Sequence, residues 1–176
     1  KGLNLGAEDV NYSASGITAK VKNGSLSDKS GFVLNTLRGD AVYNDKQIKL
    51  SNFVLKTPNT NIENQTELTF TSMDDLTKNP ERVKLKIDLK NTVIGLKDAT
   101  FFTNALPAHY SNQKIKVNAK VDGHLNKLNI PQLQISGLKN TKIDIIGKTN
   151  NVTDVKKAFL DLNIKKLHTT KSDILA

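Results

Sequence analysis

The chain has 176 residues, a formal charge of +9 and an isoelectric point of about 9.6, with no Cys and no Trp. The lack of Cys excludes a disulfide framework and a thiolate metal site. Only Arg38 and Arg82 of the 26 basic residues are Arg, so the planar forks that grip phosphates and read bases are scarce, and no nucleic-acid partner is expected.

No apolar run approaches the roughly 20 residues of a membrane-spanning helix. The first block alternates as Val10, Tyr12, Ala14 and then shifts parity at Gly16 to Ile17, Ala19, Val21. A one-residue change of phase at Gly reads as a bulge or bend. Asn23-Gly24 reads as a turn, and Arg38-Gly39-Asp40 as a turn or bulge. The next strand carries Ile48 and Leu50, changes phase to Phe53 and Leu55, and stops at Thr57-Pro58. Ile62, Leu68 and Phe70 belong to another. Residues 72–80 are polar and end on Pro, as a connecting loop or a single helical turn would. They are the one candidate sub-boundary in an otherwise single segment, 1–176.

Residues 82–90 read R-V-K-L-K-I-D-L-K and residues 114–122 read K-I-K-V-N-A-K-V-D. Side chains alternate across a strand, so each stretch has one apolar and one charged face. Between them, residues 98–110 break the pattern. Asp98 is placed to cap a short helix through Phe101, Phe102 and Leu106, ended by Pro107. Strand character returns in 115–121, a turn is expected at Gly123, and strands follow at 125–130, 133–135, 143–146 and 159–167. The pattern predicts an all-β chain of ten to twelve strands in a meandering antiparallel sheet with one short helix.

Chemistry is sparse. His109, His124 and His168 have no metal-ligand spacing, and the only adjacent carboxylates, Asp74-Asp75, stand beside no base. No nucleophile elbow, phosphate loop, dinucleotide fingerprint or calcium loop is present. Neither an enzyme nor a cofactor is expected. The apolar faces remain to be explained. Val83, Leu85, Ile87 and Leu89, Ile115, Val117 and Val121, Ile143 and Ile145, and Leu160, Leu162 and Ile164 are expected to line one common apolar interior. Lys84, Lys86, Lys116 and Lys120 should face water. Each buried Val, Leu or Ile is worth roughly 1.5–3 kcal/mol, so such a face does not stay wet. Two solutions fit: a closed β-sandwich, as in a structural or binding module of a surface or secreted protein, or one long sheet curled around a ligand with hydrocarbon character.

Short motifs in order favour the second. They are K-S-G-F-V-L-N-T-L (29–37), L-S-N-F-V-L-K-T-P-N-T (50–60), L-K-D-A-T-F-F (96–102), V-D-G-H-L-N-K-L (121–128), L-Q-I-S-G-L-K-N-T (133–141) and L-N-I-K-K-L-H-T-T-K-S-D-I (162–174). In these the chain resembles an interior segment of the TamB branch of the AsmA-like proteins, in its Bacteroidetes form. The resemblance implies an elongated β-taco, or half-pipe, with an apolar trough. It also implies a periplasmic conduit carrying phospholipid between the inner and outer membranes, acyl chains in the trough and headgroups outside, with a further role in outer-membrane protein assembly. An inner-membrane anchor and a C-terminal part that meets an assembly-type barrel would belong to regions not present in this sequence.

Overall fold

The computed structural model describes residues 2–103, 106, 108–152, 154 and 156–174. The period-two segments form β1 (Gly2–Ser13), β2 (Gly16–Ser27), β3 (Val33–Leu34), β4 (Thr36–Asn44), β5 (Gln47–Lys56), β6 (Asn61–Thr69), β7 (Lys84–Gly95), β8 (Lys114–His124), β9 (Lys127–Gly137), β10 (Thr141–Asn150) and β11 (Phe159–His168). All eleven belong to one antiparallel sheet in the order β1-β2-β4-β5-β6-β7-β8-β9-β10-β11, with the two-residue β3 also pairing with β2. Each strand packs extensively on its hydrogen-bonded neighbours alone, and β1 and β11 are the two free edges. The strands therefore form an open single sheet and no sandwich.

The sheet curls into a half-pipe, and its register explains how. Every neighbouring pair along the sheet except β2–β4 carries a register shift. Several lie at mid-strand, as at Glu8/Asn11, Arg38/Asp40, Leu50/Phe53, Leu89/Thr92 and Lys120/Asp122. An extra residue on one strand bends it and raises its local twist. Repeated bulges accumulate into curvature. Asp9, Asn52 and Asn91 occupy three of these shifts with φ of 52°, 51° and 48°. Asp and Asn are among the few non-glycine residues that enter the left-handed region at small cost.

Among the described residues helix lies outside the strands: α1 (Asp75–Lys78), α2 (Leu96–Ala99) and 3-10 turns at Pro80–Arg82 and Ala108–Tyr110 in connections, and α3 (Lys171–Ile174) after β11. The expected single helix over 98–110 is thus replaced by two short pieces, with Asp98 inside α2 and not at its cap. Its carboxylate accepts hydrogen bonds from another connection instead of its own helix. The expected stop at Pro107 lies outside the described residues.

Three turn assignments also shift. The β1–β2 hairpin turns at Ala14-Ser15, just before Gly16. Asn23-Gly24 lies within β2, where a Cβ on Gly24 would come 3.0 Å from the Leu37 Cβ. That glycine serves close approach, not chain reversal. Gly123 closes β8 with φ 128°, and the turn falls on Leu125-Asn126. Arg38-Gly39-Asp40 lies within β4 opposite the bulge, whose extra residue belongs to Ser51–Val54 of β5, with Gly39 at φ 154°.

Accessible area records the openness. The described chain exposes 11296 Å², whereas a compact monomer of this mass exposes roughly 8,500 Å². Val54, Phe70, Val83, Leu96 and Ala119 are the buried apolar residues among those described. A second layer would have buried many more.

Candidate functional site

Residues directly opposed in an antiparallel pair project to the same side, so the register identifies each face. On β7, Leu85 lies opposite Leu68 and Gly123, Ile87 opposite Thr66 and Val121, and Leu89 opposite Asn64 and Ala119. On β8, Ile115 faces Ile94 and Gly137, and Val117 faces Thr92 and Ile135. On β10, Ile143 pairs with Ile135 and Leu167, and Ile145 with Leu133 and Ile164. Leu162 and Leu160 of β11 stand opposite Gly147 and Thr149. Val83 precedes β7 at the head of its row and is 0% exposed; its carbonyl accepts the Leu125 N–H at 2.9 Å.

The eleven strand positions among the expected lining residues therefore share one face. Those on β7, β8 and β10 are half-buried, while Leu160, Leu162 and Ile164 on the edge strand are exposed. Lys84, Lys86, Lys116 and Lys120 take the alternate positions and are exposed.

The apolar row runs further than the sequence expectation. Leu133 and Ile135 of β9 fill the gap between β8 and β10. In the other direction the row passes through Leu68 to Ile48, Tyr43, Ile17 and Tyr12 by successive direct pairings. Leu3, Leu5 and Tyr12 on β1 are exposed at one end, and Leu160, Ile164 and Leu167 on β11 at the other. At about 4.8 Å per strand, ten strands give this face a length of roughly 43 Å. The β9 residues were visible as simple alternation. Ile48 and Leu68 were visible as strand residues, but the phase change after Leu50 kept them from being joined to the same face.

Polar residues interrupt this face at Asn64, Thr66, Thr92 and Thr149. Thr92 is buried and its hydroxyl reaches the Glu63 and Lys90 carbonyls at 3.4 Å. Thr149 is buried with its hydroxyl unpartnered.

The opposite face alternates in sign from strand to strand. Lys20 lies opposite Asp40, Glu63 opposite Lys90, Lys86 between Glu67 and Asp122, Asp88 opposite Lys120, and Lys148 opposite Asp161. Opposed charges at cross-strand positions attract. Such a face balances itself and presents no continuous basic track to a polyanion. An open concavity of about 560 Å³ crosses it at mid-strand, bounded by Lys20, Arg38, Asp40, Glu63, Asp88 and Lys90. Both signs of charge meet there. No group of three or more His, Asp or Glu side chains among the described residues is placed to hold a metal ion, and no described helix is long and apolar enough to cross a membrane.

The connections are pinned by buried carboxylates. Asp98 accepts hydrogen bonds from the Thr57 hydroxyl, from Thr60 Oγ1 at 2.6 Å and from Asn59 Nδ2 at 3.0 Å. Burial alone would raise its pKa, but these donors, with Lys114 nearby, hold it below the ordinary carboxylate value. Asp75 takes the Thr71 and Ser72 amides at 3.0 and 3.1 Å. Asp173 takes the Asn140 amide and the Thr141 hydroxyl at 3.0 and 2.9 Å. Each is a clasp in which a carboxylate ties a connection to its neighbour.

No protein-family model matches the chain, and neither the curated proteins nor the solved structures contain a match.

Proposed function

We propose that this segment is a stretch of lipid conduit whose apolar face solvates phospholipid acyl chains. The observation that carries this reading is the apolar face itself, continuous across ten strands, covered by no second layer and running out to both free edges. A hydrocarbon chain needs only apolar area, since the hydrophobic effect is non-directional. Movement along such a face therefore needs no specific residue, no cofactor and no covalent step. The charged face keeps the outside in water and leaves headgroups to be solvated at the rims.

The motifs shared with the TamB branch of the AsmA-like proteins support the same assignment. They extend it to a periplasmic bridge between inner and outer membranes, acting in lipid transport and outer-membrane protein assembly alongside a barrel partner. A structural β-sandwich module, the other class raised by the sequence, requires a second sheet.

Two assays on the same variants test the proposal: thermal melting, and phospholipid retention measured by crosslinking and mass spectrometry of the purified chain. Ile87→Asp and Val117→Asp place charge on the face where acyl chains would lie. An unpaired charge in a greasy site costs several kcal/mol to a bound chain, but on an open face it keeps a route to water. We expect lipid retention to fall at least tenfold with a near-intact melting transition. A parent chain that retains no phospholipid, with variants that no longer melt cooperatively, would overturn the assignment.

A further inference from the structure

The antiparallel order gathers the connections at two rims. One holds the β1–β2, β4–β5, β6–β7, β8–β9 and β10–β11 links. The other holds the β2–β4, β5–β6 and β7–β8 links, the β9–β10 turn and α3. The rims differ in their charge chemistry. On the first, three of the four lysines in the links are tied to carboxylates, Lys46 to Asp45 at 3.8 Å, Lys78 to Asp74 at 2.7 Å and Lys157 to Asp154 at 3.4 Å, and Lys156 alone is in no ion pair among the described residues. On the second, Lys29, Lys56 and Lys97 are exposed and take part in no ion pair among the described residues. The acids of this rim are spent on hydrogen bonds. Asp98 and Asp173 are buried in their clasps, and the Asp28 carboxylate accepts the Ser30 amide at 3.0 Å.

Aromatic side chains crown the same rim. Phe32, in the β2–β4 link, meets Phe101 and Phe102, in the β7–β8 link, edge to face with ring centroids 5.4 and 5.5 Å apart. These links are separated along the sheet by β4, β5, β6 and β7, so the rings bridge across four strands. The Asn35 amide bonded to the Lys56 carbonyl at 2.8 Å fixes one side, and the Asp98 clasp on the β5–β6 turn fixes the other. Yet Phe102 is 77% exposed. An aromatic that is mounted on a partner ring yet stays in water, on a rim that also carries lysines without ion pairs among the described residues, needs a partner with apolar depth beneath an anionic surface. An anionic phospholipid bilayer has both.

We propose that this rim docks on an anionic phospholipid membrane, with Phe101 and Phe102 entering the headgroup layer and Lys29, Lys56 and Lys97 contacting lipid phosphates. The site is separate from the apolar face of the sheet and does not depend on what that face carries. A flat polyanion such as nucleic acid would use the lysines but leave the phenylalanines idle.

The chain contains no Trp, so Phe102→Trp provides a single fluorescent reporter at the tip. With vesicles of phosphatidylglycerol and phosphatidylcholine, its emission should shift to the blue and be quenched by brominated acyl chains. Pure phosphatidylcholine vesicles should do neither. Each lysine near an anionic surface is worth about 1 kcal/mol, or about fivefold in affinity. Lys29→Gln with Lys97→Gln should therefore weaken vesicle binding roughly 25-fold, and added salt should weaken it further. Phe102→Ser, at the more exposed ring, should abolish the residual binding in high salt while the melting temperature of the chain changes little. Ile87→Asp should leave vesicle docking intact, which separates this inference from the conduit. Equal binding to neutral vesicles, an unshifted Trp emission on bound vesicles, or lysine-dependent binding to DNA that matches binding to vesicles would each overturn it.

Discussion

Asp98 shows what local sequence reading misses at the scale of one residue. Ahead of Phe101 and Phe102 it resembles a helix cap, but its partners Thr57, Asn59 and Thr60 lie 41, 39 and 38 positions away. No short window contains them. Replacing it with Asn turns one acceptor into a donor facing donors, and we expect a loss of roughly 1–3 kcal/mol. The pH dependence has a definite sign. A carboxyl whose folded pKa is depressed stabilises the fold above its unfolded value, near 4, and loses that contribution as pH falls through the folded value. The melting-temperature gap between parent and Asp98→Asn should thus be full at pH 7 and close in strong acid. Asp75 is depressed in the same direction by the Ser72 and Thr71 amides and Asn79 acting against burial, so only the difference between parent and variant isolates Asp98. Thr149 offers the opposite test. Its hydroxyl is buried on the apolar face without a partner, so Thr149→Val, which keeps the shape and removes the stranded polar group, should stabilise by about 1 kcal/mol in denaturant unfolding.

Among elements, the bulges decide both the shape and what could be read in advance. The phase change from Leu50 to Phe53 is legible as a break in alternation, and the structure resolves it as a bulge with Asn52 in the left-handed region. A second, Leu89 to Thr92 around Asn91, has the same form. Alternation is therefore a reliable guide to strands and faces here. Glycine is a poor guide to turns, because Gly24 and Gly39 sit within strands, Gly24 where its neighbours press close. Asn91 tests the role of the bulge. Asn91→Gly should be tolerated or slightly stabilising, since Gly enters the left-handed region freely. Asn91→Val forces a β-branched residue there and should cost roughly 1–2 kcal/mol. Equal melting temperatures for the two variants would mean that the left-handed residue contributes nothing to the bend.

For the whole molecule, sequence pattern predicted one-sided strands but could not distinguish one curled sheet from two packed ones. Alternation is the same in both, and the difference lies in pairing across the chain. Unfolding thermodynamics reports that difference directly. With 11296 Å² already exposed in the described fold, the chain covers roughly one seventh less surface on folding than a compact monomer of its mass would. Much of the uncovered part is apolar. Heat capacity of unfolding follows apolar exposure, and a compact chain of this length would show roughly 2.1–2.6 kcal/mol/K. The measured value should fall below that range. A hydrocarbon ligand should then supply the missing cover. A single-chain anionic or zwitterionic amphiphile, added below its micelle concentration, should raise the melting temperature in proportion to the logarithm of its concentration, as mass action requires for binding to the folded state alone. Calorimetric titration of the same ligand should give a negative heat-capacity change, the mark of buried apolar area. Shortening the ligand by two methylenes should weaken it by about 1.6 kcal/mol, near fifteenfold. Ile87→Asp should reduce the stabilisation without abolishing the melt. If the melting temperature is indifferent to chain length, the apolar face is not where the ligand lies.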